Sequence, residues 1–311
     1  MEKKIIIGTR GSELALWQAH YTQSLLSDIG ISSELKIIST KGDQIQNLSF
    51  DKIEGKGFFT KEIEAALLEN QVDIAVHSHK DLETQDHPSL IVAAVSERED
   101  PRDVLLIRKD KLDTTTPLHL LENAIVGTSS VRRKVQLLNM YPSIQCLDIR
   151  GNVPTRIQKL LSGDFDAIVL AAAGLIRLQV DLSSFHVQYL DAHSFIPAPA
   201  QGVLAWQCRK EDERAWKVLR QIHQAKVQET LQIERSILQQ LNGGCQLPLG
   251  VFCEKIADSY HVHVAYAAGL NLPLLTFQHQ DNDAENAIAQ CLIKIKKWQE
   301  FSSVENPNTP Q

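Results

Sequence analysis

The octapeptide AVHSHKDL, residues 75–82, places His77, His79, Lys80 and Asp81 at the end of an apolar run that begins at Val72. Two histidines two positions apart on a strand share a face and are candidate metal ligands. The neighbouring lysine and aspartate instead suit an ionic substrate, one side chain for each sign of charge. The metal reading rests on two ligands alone, and no HExxH motif is present. Other apolar runs also end in chemistry-bearing residues. Thr9, Arg10 and Ser12 follow the first run, and Thr128, Ser129, Ser130, Arg132 and Arg133 follow AIVG. Arg150, Asn152 and Arg156 come after IQCLDI, and Arg177 lies a little beyond AAAG. Singly, such a serine is an N-cap and such an arginine is a solvated surface residue. Collectively they suit a ligand with many carboxylates, because a planar guanidinium grips a carboxylate with two parallel hydrogen bonds. Arg132 and Arg133 are adjacent, and like charges repel by roughly 4 kcal/mol at ~4 Å and an effective dielectric of about 20. A bound anion would relieve that repulsion.

The stretch NGGCQLPLG, 242–250, sets Cys245 directly after two glycines and three residues before a proline. This is a loop tip at the start of a strand, where an exposed thiol is a candidate for covalent chemistry. An inert free thiol is the alternative there. It is also the reading for Cys146, Cys208 and Cys253 on strand-like runs and for Cys291 on a helical one. GKGFFTKE, 55–62, resembles a phosphate loop only loosely; GxxxxGK[ST] and GxGxxG are both absent, so it reads as a loop leading into a helix from near Thr60.

The elements that must position these residues form a repeat. IIIGTRGSELALWQAHYTQSLL near the start and AIVGTSSVRRKVQLL from about residue 124 each run from apolar strand through Gly-Thr and a serine-bearing turn into a helical pattern. Each is followed by a strand ending in a basic residue and glycine, LKIISTKGD or IQCLDIRGN. A helix then comes in both halves, TKEIEAALLENQ or TRIQKLLSGD, and then a buried strand, VDIAV or FDAIVL. Matched pairs recurring in one order make chance similarity the poorer reading. A β-α-β-α-β unit in each half predicts two α/β domains with mostly parallel sheets covered by helices on both faces. In such sheets ligands bind beyond the carboxyl ends of the strands, where the residues above stand.

SEREDPRD (96–103) and SFIPAPAQG (194–202) read as hinge or crossover segments. Helical patterns near 209–224 and 226–241, the alternating SYHVHVAYAA, a short apolar LPLLTF and a helix around 284–300 predict a smaller α+β domain. The final SSVENPNTPQ is expected to be a disordered tail. Bulk properties exclude several classes. The 311 residues allow two or three domains, and no apolar run approaches a membrane span. Five cysteines without a CxxC pair argue against a disulfide framework and a structural zinc site. With no secretory pattern at the start, a cytoplasmic location is expected. A net charge of −6 predicts no general affinity for nucleic acid, so an anionic ligand must be held locally.

The segments TRGSELALWQAH, GKGFFTKE, DIAVHSHKD, EREDPRD, VGTSSVRRK, RGNVPTR, DAIVLAAAGLIRL, PAQG and GGCQLPLG occur in the order seen in porphobilinogen deaminases, the hydroxymethylbilane synthases, and the chain resembles that family over most of its length. The resemblance implies two doubly wound α/β domains like those of periplasmic binding proteins and a smaller α+β C-terminal domain. On this chain they are expected at 1–98 with 200–222, at 99–199 and at 223–311. It implies a transferase of tetrapyrrole (haem) biosynthesis that condenses four porphobilinogen molecules head to tail, each losing ammonia, on a dipyrromethane cofactor. Hydrolysis then releases the linear product. The cofactor is expected on Cys245 through a thioether. Lys80, Thr128, Ser129, Ser130, Arg132 and Arg133 are expected to hold cofactor carboxylates. Arg10, Ser12, Arg150, Arg156 and Arg177 are expected to hold substrate. Phe59 is expected to stack on a pyrrole, with Lys52 and Lys56 on a loop covering the cleft.

Asp81, the catalytic residue of this scheme and a further contact to the cofactor, is expected to stabilise the cationic azafulvene left by ammonia and to accept from pyrrole N–H groups. Its alternative is a structural partner for Lys80. No metal is implied, nor a membrane or nucleic-acid partner, and a monomer is expected. A solute-binding protein shares the two-domain clamp but has no use for Cys245 or a third domain. Three residues depart from the family pattern: Gly11 stands for glutamine, His79 for methionine and Ala200 for glycine. The alanine implies crossover backbone that tolerates a Cβ.

Overall fold

A computed structural model describes residues 4–40, 60–85, 87–244 and 247–305. The first half opens with β1 (Ile5–Thr9), α1 (Glu13–Asp28) and β2 (Ser33–Ile37), then α2 (Lys61–Leu68) and β3 (Ile74–Ser78), a 3-10 turn at His79–Asp81 and β4 (Leu90–Val95). After the first crossover come β5 (Asp103–Arg108), β6 (Ile125–Gly127), α3 (Val131–Met140), β7 (Gln145–Leu147), α4 (Val153–Leu161), β8 (Ala167–Ala171), α5 (Ala172–Arg177) and β9 (Phe185–Leu190). The chain then crosses back into β10 (Leu204–Arg209) and α6 (Glu213–Arg220). It finishes with α7 (Ala225–Gln240), β11 (Leu249–Ile256), β12 (Ser259–Tyr266), β13 (Leu275–Asp281) and α8 (Ala284–Glu305).

The repeat read from the sequence is a repeat of topology. The two five-stranded sheets run β2-β1-β3-β10-β4 and β7-β6-β8-β5-β9. In each, the β-α-β-α-β unit supplies three parallel strands, and a reversed strand lies between the third of them and the last. The sheets are therefore mixed. The reversed strands β5 and β10 are the ones that follow the crossovers, which the unit-by-unit sequence pattern does not reveal. The correspondence extends to single atoms. The Asp73 carboxylate accepts from Ile6 N at 2.8 Å, and the Asp166 carboxylate accepts from Ile125 N at 2.8 Å. Each of these aspartates precedes the third strand of its unit and fastens it to the first.

Alternation along the strands explains the double winding. Ile5, Ile7, Ile74 and Val76 pack with Ala19 and Leu26 of α1 and with Val218 and Leu219 of α6. Ile6 and Ala75 face the other way, towards Ile63 and Leu67 of α2. Trp206 is fully buried in the first of these cores, and its indole N–H donates to Thr22 Oγ1 at 2.8 Å. Truncating such a side chain costs about 3–5 kcal/mol. The antiparallel sheet β11-β12-β13 packs one face on α7 and α8, through Val251, Val262, Val264, Ile237 and Cys291. Phe252 and Ala265 on its opposite face pack with Ala192 and Ile196.

The described residues fall into two compact units. One comprises Met1–Asp100, Ala173–Val180 and Gln201–Gln228; the other comprises Pro101–Ala172, Asp181–Ala200 and Glu229–Gln311. Two expectations need correcting. Helix α8 continues to Glu305, so the segment read as a disordered tail from Ser302 begins inside a helix. Ala200 has φ of 63°, in the left-handed region that favours glycine, so the crossover does not relax to suit its Cβ. Ala200 is fully buried, and its N–H donates to Glu234 Oε2 at 2.7 Å. Glu234 also accepts from Cys253 N at 2.8 Å, and this two-ended carboxylate holds the strained residue in place.

Candidate functional site

In the first unit the site is built at the ends of β1 and β3. Arg10 follows β1, and Ser12 caps α1 by accepting from Ala15 N at 3.4 Å. Strand β3 stops at Ser78 and turns into the 3-10 segment His79–Asp81. His77 and His79 therefore do not form a pair on one strand. Arg10, Gln18, Thr60, Ile63, His77, Ser78 and Asp81 line one pocket, about 40 Å³ in volume. Gln18 Nε2 donates to Ser78 Oγ at 2.8 Å, and Asp81 is exposed at the rim. His77 is buried with Nε2 3.2 Å from Gln207 Oε1. Burial pushes its imidazole down to about 4 against the pull of that hydrogen bond, so it is neutral at pH 7.

Lys80 does not rest on Asp81; its ammonium donates to Gln201 Oε1 at 3.2 Å. The buried Gln201 belongs to the PAQG segment, and its backbone oxygen accepts from Arg98 Nε at 3.1 Å. Next to it, Gly202 has φ of 92° and sits tightly against the backbone of Glu99, so a side chain there would collide. Arg177, read on the sequence with the second half, belongs to the first unit. Its Nη2 donates to Gly202 O at 2.7 Å, and its guanidinium lies 5.6 Å from the centre of the Trp17 ring. Burial lowers its pKa, which Glu99 and Tyr21 partly restore.

In the second unit the turn from β6 into α3 carries Thr128, Ser129 and Ser130, and their hydroxyls already have structural duties. Thr128 Oγ1 accepts from Ser130 N at 3.3 Å, and Ser130 Oγ caps α3 by accepting from Arg133 N. Ser129 Oγ donates to Ile149 O at 2.7 Å and accepts from Ile149 N at 3.1 Å, tying this turn to the one before Arg150. Arg132 and Arg133 are buried around the fully buried Asp103. Arg133 donates to Asp103 Oδ1 through Nε and Nη2 and to Val169 O through Nη1. Arg132 uses Nη1 for both Asp103 Oδ2 and Ile196 O. Burial alone would push the Asp103 carboxyl up. The charges and hydrogen bonds of the two arginines outweigh it and hold the carboxyl well below the usual carboxylate range.

Two cations against one carboxylate leave a buried unit of positive charge at a helix start. Among the described residues, no hydrogen bond involves Nε or Nη2 of Arg132. A donor set of this kind fits a ligand carboxylate, which would fill the open guanidinium edge and balance the charge. Arg150 follows β7, and Arg156 lies on α4 with Nε donating to Gly151 O at 2.8 Å. Cys245, Phe59, Lys52 and Lys56 lie outside the described residues. None of the described cysteines forms a disulfide, and burial pushes Cys146 and Cys208 up to about 11 and Cys291 up to about 12. Those three stay protonated and unreactive at neutral pH.

The fold and these strand ends define a two-unit α/β protein: strand ends of the first unit carry Arg10, Lys80 and Asp81, and those of the second carry hydroxyls and the Arg132–Arg133 pair. Residues 5–217 match the family model described as porphobilinogen deaminase, dipyromethane cofactor binding domain. The porphobilinogen deaminase of Syntrophomonas wolfei is 44% identical over 84% of this chain and 84% of its own length. That of Shouchella clausii is 43% identical over 82% and 81%. That of Sulfurimonas denitrificans is 41% identical over 87% and 85%. The chain belongs to the porphobilinogen deaminase family, the transferases of tetrapyrrole biosynthesis that work on a dipyrromethane cofactor carried by a cysteine. Among solved structures, the periplasmic VFT2 domain of Bordetella pertussis BvgS overlaps with a TM-score of 0.43 at 14% identity, over 70% of this chain and 86% of that one. The architecture described above rests on the strand order itself. Among the described residues no helix is long and apolar enough to cross a membrane.

Proposed function

We propose that this chain condenses four porphobilinogen molecules head to tail and releases the linear hydroxymethylbilane, acting as a cytoplasmic monomer with its cofactor on Cys245 in a C-terminal domain of residues 223–311. The observation that carries the site assignment is the buried surplus charge of Arg132 and Arg133 over Asp103, which calls for a carboxylate that the described residues do not supply. When bound, the dipyrromethane supplies the pyrrole carbon to which the first substrate is joined. Arg132 and Arg133 hold its acid side chains, with the serine turn setting the position of their helix. Lys80, Thr128, Ser129 and Ser130 complete that set. Arg10, Ser12, Arg150, Arg156 and Arg177 hold the acetate and propionate of incoming substrate, and Phe59 packs on its ring.

Asp81 is the catalytic residue, with a further contact to the cofactor. Ammonia leaves the substrate aminomethyl group, and positive charge spreads onto the pyrrole nitrogen. An exposed carboxylate at the rim of the pocket that Arg10 lines is available to stabilise that charge and to accept from the N–H. His77, buried and neutral, holds the wall of the pocket through Gln207 and adds no charge of its own.

Intact-protein mass spectrometry tests the covalent assignment. Purified chain should carry the mass of two pyrrole units, and fragmentation should place it on the peptide containing Cys245. Active protein with unmodified Cys245 overturns the assignment.

A further inference from the structure

Away from these strand ends, three potential ligands meet beside the face of the three-stranded sheet that carries Phe252 and Ala265. His193 stands in the turn after β9, Glu254 on β11 and His263 on β12, and one donor atom from each lies within 4.8 Å of the others. His193 Nε2 is 2.7 Å from Glu254 Oε2, and the His193 and His263 ring centres are 4.6 Å apart. Strand register explains the pairing. His263 faces Phe252 across the β11-β12 ladder, and Glu254 is two residues along the same strand, so all three side chains share one face. His263 is buried, and among the described residues no hydrogen bond involves its ring nitrogens.

A second observation comes from the far side of His193. Its Nδ1 is 3.1 Å from Asp191 Oδ1, and the same carboxylate accepts from His193 N at 3.3 Å. A carboxylate that fixes one imidazole nitrogen while the other points at further ligands is the outer-shell arrangement of histidine metal sites. Tetrahedral bonds of about 2.0–2.2 Å place ligand atoms roughly 3.3 Å apart, within reach of the spacing seen here. Two imidazoles and one carboxylate select first-row transition ions over calcium or magnesium, which prefer oxygen.

We propose that His193, Glu254 and His263 form a binding site for one divalent ion of the zinc type, with water as the fourth ligand. The ion replaces the proton shared by His193 and Glu254 and pins the turn after β9 to the sheet. Asp191 orients His193.

Titration of the holoenzyme with Co2+ as the metal probe tests this. One ion per chain should bind with visible ligand-field bands and without the intense near-ultraviolet absorption of a thiolate ligand. Asp191→Asn should weaken binding by about 10- to 100-fold, and Glu254→Gln and His193→Gln by at least as much. The last two alter partly exposed side chains, and circular dichroism checks that they fold; His263→Gln, at a buried position, is supporting evidence only if it also folds. Absence of stoichiometric uptake overturns the proposal. So does uptake of equal affinity in His193→Gln, or a thiolate band, either of which places the ion elsewhere.

Discussion

Asp81 and Arg132 stand in opposite settings for a charged residue. Asp81 stands exposed at a pocket rim, and Lys80 beside it in sequence is bonded to Gln201, which weakens the alternative of a structural Lys80–Asp81 pair. Asp81→Asn preserves shape and removes charge. It should retain the cofactor by mass and lower kcat by about 100-fold or more with little change in KM. An unchanged single-turnover rate would show that the carboxylate is only structural. Arg132 and Arg133 are buried together against the one carboxylate of Asp103, and the proposed role for their surplus charge is to hold a ligand carboxylate. Sequence reading singled out both arginines but not Asp103, because nothing in a local pattern says which distant carboxylate will be buried against them. Gln18 and Gln201 were missed for a related reason: an amide carries no charge signature, and each matters only through the partner that folding brings to it.

At the scale of elements, the 3-10 turn that ends β3 puts His79 out of strand register with His77, so a motif drawn on an ideal strand breaks where the strand ends. Ala200 is the clearest element-level test. Its left-handed backbone costs about 1–2 kcal/mol relative to glycine. Ala200→Gly relieves that strain but frees the unfolded chain and removes a buried methyl, so its stability should stay within about 1 kcal/mol of the parent. Ala200→Val places a β-branched side chain at positive φ in a fully buried site and should cost roughly 2–5 kcal/mol. Urea unfolding of the pair checks both, and equal midpoints would show that the segment yields. The twin aspartates Asp73 and Asp166 were in view within VDIAV and FDAIVL, yet their shared task of tying the third strand to the first emerges only from the paired sheets.

For the molecule as a whole, stability should depend on acid through His77. Its folded pKa of about 4 lies below its ordinary 6.5, because burial disfavours the charged form. As pH falls the unfolded chain takes up this proton first, so the contribution is complete above pH 6.5 and is lost between about 6.5 and 4. The stability difference between the parent and His77→Gln should shrink by about 2–3 kcal/mol across that window, and a flat difference in urea unfolding would refute the assignment. The β-α-β-α-β order within each half, its duplication, the cations and hydroxyls at the strand ends and the glycine-flanked cysteine were all legible in the sequence itself. They depend on side-chain period, turn chemistry and charge, which are local. Tertiary structure alone decided which strands reverse, that Arg177 belongs to the first unit, that Asp103 neutralises half of the arginine pair, and that His193, Glu254 and His263 meet. Those outcomes depend on contacts between residues far apart in the chain, where packing and desolvation choose partners that no local pattern names.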